Sequence, residues 1–206
     1  MKKSFLPIVS FVGLLFGLLA SAPLQAQQED AAVRLALDHL KTHCADYGLS
    51  AADVAEPWVS SAYSSKKSGV THVYFNQMYQ GVKVWQATGN ANIDREGKLI
   101  NLHARFVPNL AGLIANTAPT LTADKAVRSL ASNLGVDLPA TLEVAKLEGG
   151  AMQKISFAPG EYALEPIEVG LAYYLDEALG MRLAWEVEYY EHSAEHYWVA
   201  FVDAAT

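Results

Sequence analysis

A run of alternating apolar and polar residues from Thr71 onward most constrains how this chain can fold. Residues 71–77 alternate with a period of two, which is the pattern of a β-strand with one buried face. Gln80-Gly81 predicts a tight turn, after which residues 82–93 form a second strand. The next elements are a turn at residues 94–97 and a third strand at residues 98–107. These short connections predict an antiparallel meander.

A helix precedes this meander, and the same order of elements recurs later in the chain. Residues 30–47 have helical periodicity with Gly48 as a stop signal, and the mixed residues 49–67 fit either a loop or an irregular strand. Thr122 and Gly135 bound a second amphipathic helix. Further strands are predicted at residues 142–147, 154–157, 168–175, 181–190 and 196–202, with connections at 177–180 and 192–195.

A helix followed by a meander, twice over, predicts the α+β class with two small related domains. We place these domains at residues 27–112 and 113–206, with residues 108–119 lying against the surface between them. Hydrophobic residues make up 51% of the chain, so both domains can bury a core. The single cysteine, Cys44, excludes an internal disulfide, and its place on the apolar stripe of the first helix predicts burial.

The N-terminus has the layout of a cleaved signal peptide, over residues 1–26. Lys2 and Lys3 precede an apolar stretch at residues 5–22, and cleavage is predicted after Ala26. An uncleaved membrane anchor is the alternative, although the stretch is near the lower length limit for spanning a bilayer. Cleavage removes both lysines and takes the formal net charge from −7 to −9. We therefore expect a secreted, periplasmic or extracellular protein, with no nucleic acid partner and only transient membrane contact through the signal peptide.

The first helix carries a histidine pair that lacks the rest of a zinc site. His39 and His43 are four residues apart and share one helix face. A zinc peptidase of the usual pattern has a glutamate general base directly after its first histidine. Leu40 stands at that position here, so we expect a solvated helix face rather than a catalytic metal site.

The reversed zinc motif H-x-x-E-H also occurs, at His192, Glu195 and His196. Its mechanism requires the ligands on one helical turn, whereas the flanking alternation puts these residues at the tip of a β-hairpin. They remain weak metal candidates. Neither a G-x-S-x-G elbow nor a G-x-x-x-x-G-K phosphate loop occurs in the sequence. The sequence therefore predicts no catalytic residue and no cofactor in this chain.

The meander resembles the fungalysin/thermolysin propeptide (FTP) domain. That family carries a strand ending in Gln-x-Tyr-x-Gly-(Ile/Val)-x-Val, then Asp-x-(Asp/Glu)-Gly in the following turn. The matching positions here are Gln77, Tyr79, Gly81, Val82 and Val84, followed by Asp94, Glu96 and Gly97. Trp85 stands where phenylalanine is commoner in the family. From the residues alone, Tyr79 and Trp85 fit either the core or an interface.

The second half resembles a PepSY-type domain, the usual companion of FTP in proregions of zinc peptidases. Residues 120–127 resemble its helix start, and the segments containing Trp185 and Asp203 resemble its last two strands. In the family a glycine usually follows the Asp-Ala-Ala-Thr sequence, and the chain continues into the peptidase. Since this sequence stops at Thr206, we expect that it is truncated before a peptidase domain.

These resemblances imply the N-terminal proregion of a secreted zinc metallopeptidase, which assists folding of the catalytic domain and covers its active site. The partner would be that peptidase domain, in cis or in trans, and zinc is expected only there. One alternative is a free-standing exported inhibitor or chaperone that acts in trans. Another is a cell-envelope binding module unrelated to proteolysis. The chain itself is expected not to be an enzyme.

Overall fold

The computed structural model describes residues 24–176, 178 and 180–205, so the predicted signal peptide lies outside it apart from positions 24–26. The first helix, α1 (Leu24–Thr42), is followed by a 3₁₀ turn at Cys44–Tyr47. Gly48 ends this segment at φ 71°, as its stop signal predicts. The single predicted helix is thus an α-helix followed by a 3₁₀ turn. Within the described part of the chain, no helix is both long and apolar enough to cross a membrane.

Four antiparallel strands follow, one more than the predicted meander of three. They are β1 (Trp58–Ser64), β2 (Thr71–Tyr79), β3 (Val82–Ile93) and β4 (Leu99–Ala104). β1 lies in the region that fitted a loop or an irregular strand, and the strand reading is the correct one. The irregularity is a bulge between Val59 and Ser61, which interrupts the pairing of β1 with β2.

The second half begins with two helices, α2 (Leu110–Leu113) and α3 (Ala123–Leu134). α3 is the helix that Thr122 and Gly135 predict, and Gly135 ends it with φ 71°. The five strands that follow are β5 (Val144–Gly149), β6 (Lys154–Phe157), β7 (Ile167–Asp176), β8 (Gly180–Tyr190) and β9 (Tyr197–Asp203). All five are predicted, and β5 is shifted toward the C-terminus by two residues.

All nine strands belong to one sheet, because β3 pairs with β7 in parallel. The pairs Lys83–Ala172 and Val84–Tyr173 make this junction, and the sequence analysis did not anticipate it. The chain is therefore a mixed α and β structure that is rich in strand, with a largely antiparallel sheet. The division at residue 112 remains a prediction.

Two hydrophobic clusters lie on the helix-covered side of the sheet. The first joins α1 to β2, β3 and β4, with Ala32, Ala36 and Leu40 as the buried stripe of α1. The second joins α3 to β7 and β8, and it also includes Val82 and Val84 from the tip of β3. Cys44 packs against the first cluster but is only half-buried, since it lies in the 3₁₀ turn rather than within α1.

The register puts both helices on the same side of the sheet. Met78 pairs with Lys83 at the point where the two halves meet, and both belong to the face opposite the helices. Beyond this point β3 contains an irregularity at Gln86, whose φ is 59°. It shifts the alternation by one residue, so that Ala87 and Gly89 are buried. In the described part of the chain, the opposite face of the sheet carries no helix.

Candidate functional site

Gln77, the first residue of the FTP-like signature, is buried, and its side-chain amide hydrogen-bonds to two separate loops. Its side chain is 0% exposed, and its Nε2 donates to the carbonyl oxygens of Asp53 at 3.2 Å and Val107 at 2.9 Å. In return the Val107 amide donates to Gln77 Oε1 at 2.8 Å. A primary amide can satisfy a backbone N–H and a backbone C=O together, which a carboxylate cannot. Gln77 therefore fixes the segment after β4 to the loop before β1.

Asp53 extends these links toward the second half, although no motif in the sequence singles it out. Its carboxylate accepts hydrogen bonds from the amides of Asn109 at 3.1 Å and Leu110 at 2.9 Å, and from Ser50. Burial raises the pKa of Asp53, but these hydrogen bonds to Ser50, Leu110 and Asn109 outweigh it and leave the pKa below its usual value. Asp53 thereby fixes the start of the connection between the halves.

The remaining strand residues of the signature join the two halves. Val82 and Val84 are buried in the cluster beneath α3, and Tyr79 packs edge-on against Tyr173 with 5.8 Å between ring centroids. Gly81 has φ 76°, and a Cβ on it would lie 2.7 Å from the Cβ of Ala151 in the β5–β6 turn. A side chain at this position is therefore both strained and obstructed.

Asp94 and Gly97 shape the β3–β4 turn. Asp94 Oδ1 accepts from the backbone amides of Glu96 at 3.1 Å and Lys98 at 2.8 Å, and Gly97 adopts φ 80°. These are the side-chain-to-backbone hydrogen bonds of an Asx turn. Both residues hold the turn conformation, and the exposed turn leaves space around Gly97.

Trp185 holds β8 to the segment before α3, and Asp203 joins the end of β9 to β8. Trp185 is 2% exposed and its Nε1 donates to the Leu121 carbonyl at 2.8 Å. Asp203 Oδ2 accepts from Arg182 Nε at 2.9 Å and Nη2 at 2.6 Å. The next residue, Ala204, accepts from the amides of Thr120 and Leu121 through its carbonyl. The segment before α3 is thus tied to both β8 and the end of β9.

The weak metal candidates lie at a hairpin tip, between β8 and β9, as predicted. His196 Nδ1 lies 3.0 Å from Oε2 of Glu191 rather than near Glu195, and its ring stacks on Trp198. Trp198 Nε1 donates to Glu191 at 2.7 Å, and this bond, followed by the one to His196, lowers the pKa of Glu191. Among the described residues, no group of three or more His, Cys, Asp and Glu side chains is placed to hold a metal ion.

His39 and His43 stack with their ring centroids 4.3 Å apart on the outer side of α1. His43 also lies 3.5 Å from a carboxylate oxygen of Asp46 in the 3₁₀ turn. This is a histidine pair on a partly solvated helix face.

The open face of the second half carries an aromatic cluster, which we call the aromatic face. Its strand positions are Lys83, Trp85, Tyr174, Arg182, Glu186, Glu188, Tyr197, Val199 and Phe201. Phe201 stacks on Tyr174 at 4.7 Å and contacts Trp85 at 4.9 Å between ring centroids. Tyr197 and Val199 leave 54% and 41% of their surfaces exposed. Trp85 is thus partly buried on this face rather than in the core.

Two charged groups on the aromatic face are paired with each other. Only 6% of Glu186 is exposed, and Lys83 forms an ion pair with it. Lys83 also lies 5.4 Å from the centroid of Trp85. Tyr197 donates to Glu188 at 2.5 Å, and that hydrogen bond raises the pKa of Tyr197 to about 12. Lys83 and Glu186 therefore form an ion pair within the face, beside Phe201, while Glu188 has no cationic partner within ion-pair distance among the described residues.

Comparison with known proteins finds a propeptide motif in the first half. Residues 59–106 match the Fungalysin/Thermolysin Propeptide Motif, FTP. The match begins in β1, includes all of β2, β3 and β4, and ends at Phe106, so it contains every FTP-like signature residue. The resemblance inferred from Gln77 and Gly97 is confirmed for this part, and the PepSY-type resemblance of the second half remains a prediction.

Three fungal extracellular metalloproteinases are similar over about two thirds of this chain. The extracellular metalloproteinase mep of Aspergillus niger is 25% identical over 141 residues, covering 68% of this chain and 22% of that protein. Extracellular metalloproteinase 5 of Arthroderma otae is 26% identical over 142 residues (66% and 21%). The extracellular metalloproteinase MEP of Fusarium vanettenii is 28% identical over 138 residues (66% and 21%). The chain therefore spans about a fifth of the length of these relatives.

Proposed function

We propose that this chain is the proregion of a secreted zinc metallopeptidase, which assists folding of the catalytic domain and inhibits it until the proregion is removed. The observation that carries the proposal is the match of residues 59–106 to a propeptide motif. The similarity to extracellular metalloproteinases also supports it. The aligned region is about a fifth of each of these proteins, as expected for a proregion attached to a larger protein. Zinc would be held by the peptidase partner. A propeptide-type chain is not itself a catalytic domain.

Binding of the native peptidase is sufficient for both roles. A partner that binds only the folded state stabilises it by mass action, and the same complex can cover the active site. Attachment in one chain would raise the effective concentration of the proregion, while a separate chain would need higher intrinsic affinity. In either case the predicted signal peptide, cleaved after Ala26, would direct export. The second domain would be PepSY-like.

The aromatic face is the surface that we assign to this docking. Interface centres are enriched in Trp, Tyr, Phe and Arg and depleted of unpaired charge. Trp85, Tyr174 and Phe201 form such a centre, and the Lys83–Glu186 ion pair directly beside Phe201 is already made without a partner. The rings are also held against one another before binding, so little side-chain entropy is lost on docking.

Inhibition and refolding together test the proposal. The purified chain is added to the catalytic part of the Aspergillus niger metalloproteinase, either native or diluted from denaturant. We expect slower peptide hydrolysis by the native enzyme and a higher yield of active enzyme on refolding once the chain is degraded. Neither effect at a chain concentration of about 10 μM, with this and the Fusarium vanettenii enzyme, would count decisively against the proposal.

A matched pair of variants assigns the effect to a surface. Phe201→Ser removes the central ring of the aromatic face, whereas Tyr63→Ser removes an exposed ring from β1 at the other end of the open face. Inhibition should weaken at least about tenfold for Phe201→Ser and stay within about twofold for Tyr63→Ser. Circular dichroism of both variants checks that each is folded.

A further inference from the structure

The open face of the first half differs in chemistry from the aromatic face. Its outward positions on β1, β2, β3 and β4 form a grid of aromatic, amide, hydroxyl and imidazole side chains, which we call the amide face. The members are Trp58, Ser61, Tyr63, His72, Tyr74, Asn76, Thr88, Asn90, Asn92, Asn101, His103 and Arg105. None of these positions holds Asp, Glu or Lys, although the whole chain has 22 acidic residues and a net charge of −7.

Part of the amide face is already satisfied by internal hydrogen bonds. His72 Nδ1 lies 2.6 Å from Asn92 Oδ1, and Asn92 Nδ2 donates to Asn101 Oδ1 at 2.7 Å. Above this ladder, Tyr63 and Tyr74 stack with an interplanar angle of 16° and 6.2 Å between ring centroids. The ladder and the stacked rings therefore link the side chains at this end of the face to one another.

The neighbouring part of the amide face is a depression with unused hydrogen-bonding groups. It has a volume of about 420 Å³ and is lined by residues from all four strands, including Tyr74, Asn76, Asn90, His103 and Arg105. Asn76 and Asn90 are half-buried, yet among the described residues their amides have no hydrogen-bond partner, and the same holds for the side chains of His103 and Arg105. The volume lies within the range of about 300–1,000 Å³ that is usual for ligand sites.

We propose that this depression binds a sugar unit of a neutral glycan. Each amide supplies two donors and one acceptor in a plane, and neighbouring sugar hydroxyls can both donate and accept. The Tyr74 ring offers an apolar surface beside these amides for the C–H face of a sugar. Arg105 adds donors for hydroxyl oxygens, and the other hydrogen-bonding side chains that line the depression are amides, hydroxyls and an imidazole.

A protein partner fits this depression less well than a sugar. A protein surface docked here would bury the amides of Asn76 and Asn90, and each unpaired polar group would cost about 1–3 kcal/mol. Protein interfaces have an apolar centre with a polar margin, which is the arrangement of the aromatic face. A ligand with many hydroxyl groups can supply a hydrogen-bond partner to each of these amides. The two ends of the open face therefore suit two different ligands.

Titration of the whole chain with defined oligosaccharides tests this inference. Cellotetraose, laminaritetraose and chitotetraose are added in separate calorimetric titrations, and dextran sulfate serves as the anionic probe. We expect at least one neutral tetrasaccharide to bind with a Kd on the order of 0.1–1 mM. Failure of all three at about 10 mM, or binding of dextran sulfate alone, would overturn the inference.

Two variants and a control locate the binding. Asn90→Ala and Tyr74→Ala should each weaken saccharide binding at least about tenfold, because the first removes a planar amide and the second the stacking ring. Tyr197→Ala, on the aromatic face, should leave it unchanged. Unchanged saccharide binding in Asn90→Ala and Tyr74→Ala would overturn the assignment. These titrations contain no peptidase, so their outcome is independent of the proposed proregion role.

Discussion

Substitution of Gln77 by methionine should destabilise the whole chain far more than its size suggests. Methionine has a similar length and is apolar, so it can occupy the same buried space. It cannot replace the hydrogen bonds to Val107 at 2.9 and 2.8 Å or the one to Asp53 at 3.2 Å. Three backbone groups would then lose the hydrogen bond that Gln77 supplies in the interior. They are the amide and the carbonyl of Val107 and the carbonyl of Asp53.

The magnitude follows from the number of groups that lose a partner. The two short bonds to Val107 matter most, and each buried polar group left unpaired costs about 1–3 kcal/mol. Burial of the methionine side chain offsets part of this loss, so we expect a decrease of about 2–4 kcal/mol in the free energy of unfolding. With a urea m-value of about 2 kcal/mol per molar, the unfolding midpoint should fall by about 1–2 M.

Urea unfolding followed by tryptophan fluorescence measures this change. Lys98→Met is the matched control, because Lys98 is exposed beside the neighbouring β3–β4 turn, resembles methionine in length, and has no side-chain hydrogen bond or ion pair in the described part of the chain. The control should shift the midpoint by less than about 0.3 M. Equal midpoints for the two variants would refute the view that the hydrogen bonds of the Gln77 amide stabilise the fold.

Three further substitutions test other parts of the structure. Asp53→Asn should lower stability by about 2 kcal/mol at neutral pH. Because the folded-state pKa of Asp53 is lowered, this difference should shrink as the pH falls below about 4, and urea midpoints that keep a constant gap down to pH 2 would contradict it. Gly89→Ala should cost about 2–3 kcal/mol in thermal unfolding, since the new Cβ would lie 2.2 Å from the buried Phe75 ring; no loss would show that the ring can move. Trp185→Phe should cost about 1–3 kcal/mol and speed hydrogen exchange at the start of α3, and exchange like that of the unchanged chain would exclude the Leu121 bond as its anchor.

The sequence predicts the local elements of this fold well. Period-two alternation locates β2, β3 and β8, and Gly135 with Thr122 bounds α3, because these signals depend on neighbouring residues. The parallel pairing of β3 with β7 was not predictable in this way. It links residues 83–84 to residues 172–173, which are far apart in the sequence, and the irregularity that follows it in β3 lies at Gln86, a non-glycine residue with φ 59°.

The candidate site was predictable only in part, for a similar reason. The signature positions found by resemblance are correct as positions, but their roles come from long-range contacts. Gln77 hydrogen-bonds to residues 24 and 30 positions away, and Asp53 binds amides 56 and 57 positions away. The burial of Glu186 also depends on a distant residue, because its ion-pair partner Lys83 lies on β3. A weak signal for Asp53 existed in Ser50-x-x-Asp53, which is a common local turn pattern.

The affinity of the chain for a metallopeptidase tests the proregion proposal most directly. The partner is the catalytic part of the Aspergillus niger metalloproteinase with its general-base glutamate replaced, so that the complex is not digested. Calorimetry should give one-to-one binding with a Kd below about 1 μM, weakened at least about tenfold by Phe201→Ser and unchanged by Tyr63→Ser. No binding at about 10 μM, by this enzyme and by the Fusarium vanettenii enzyme, would contradict the proposal.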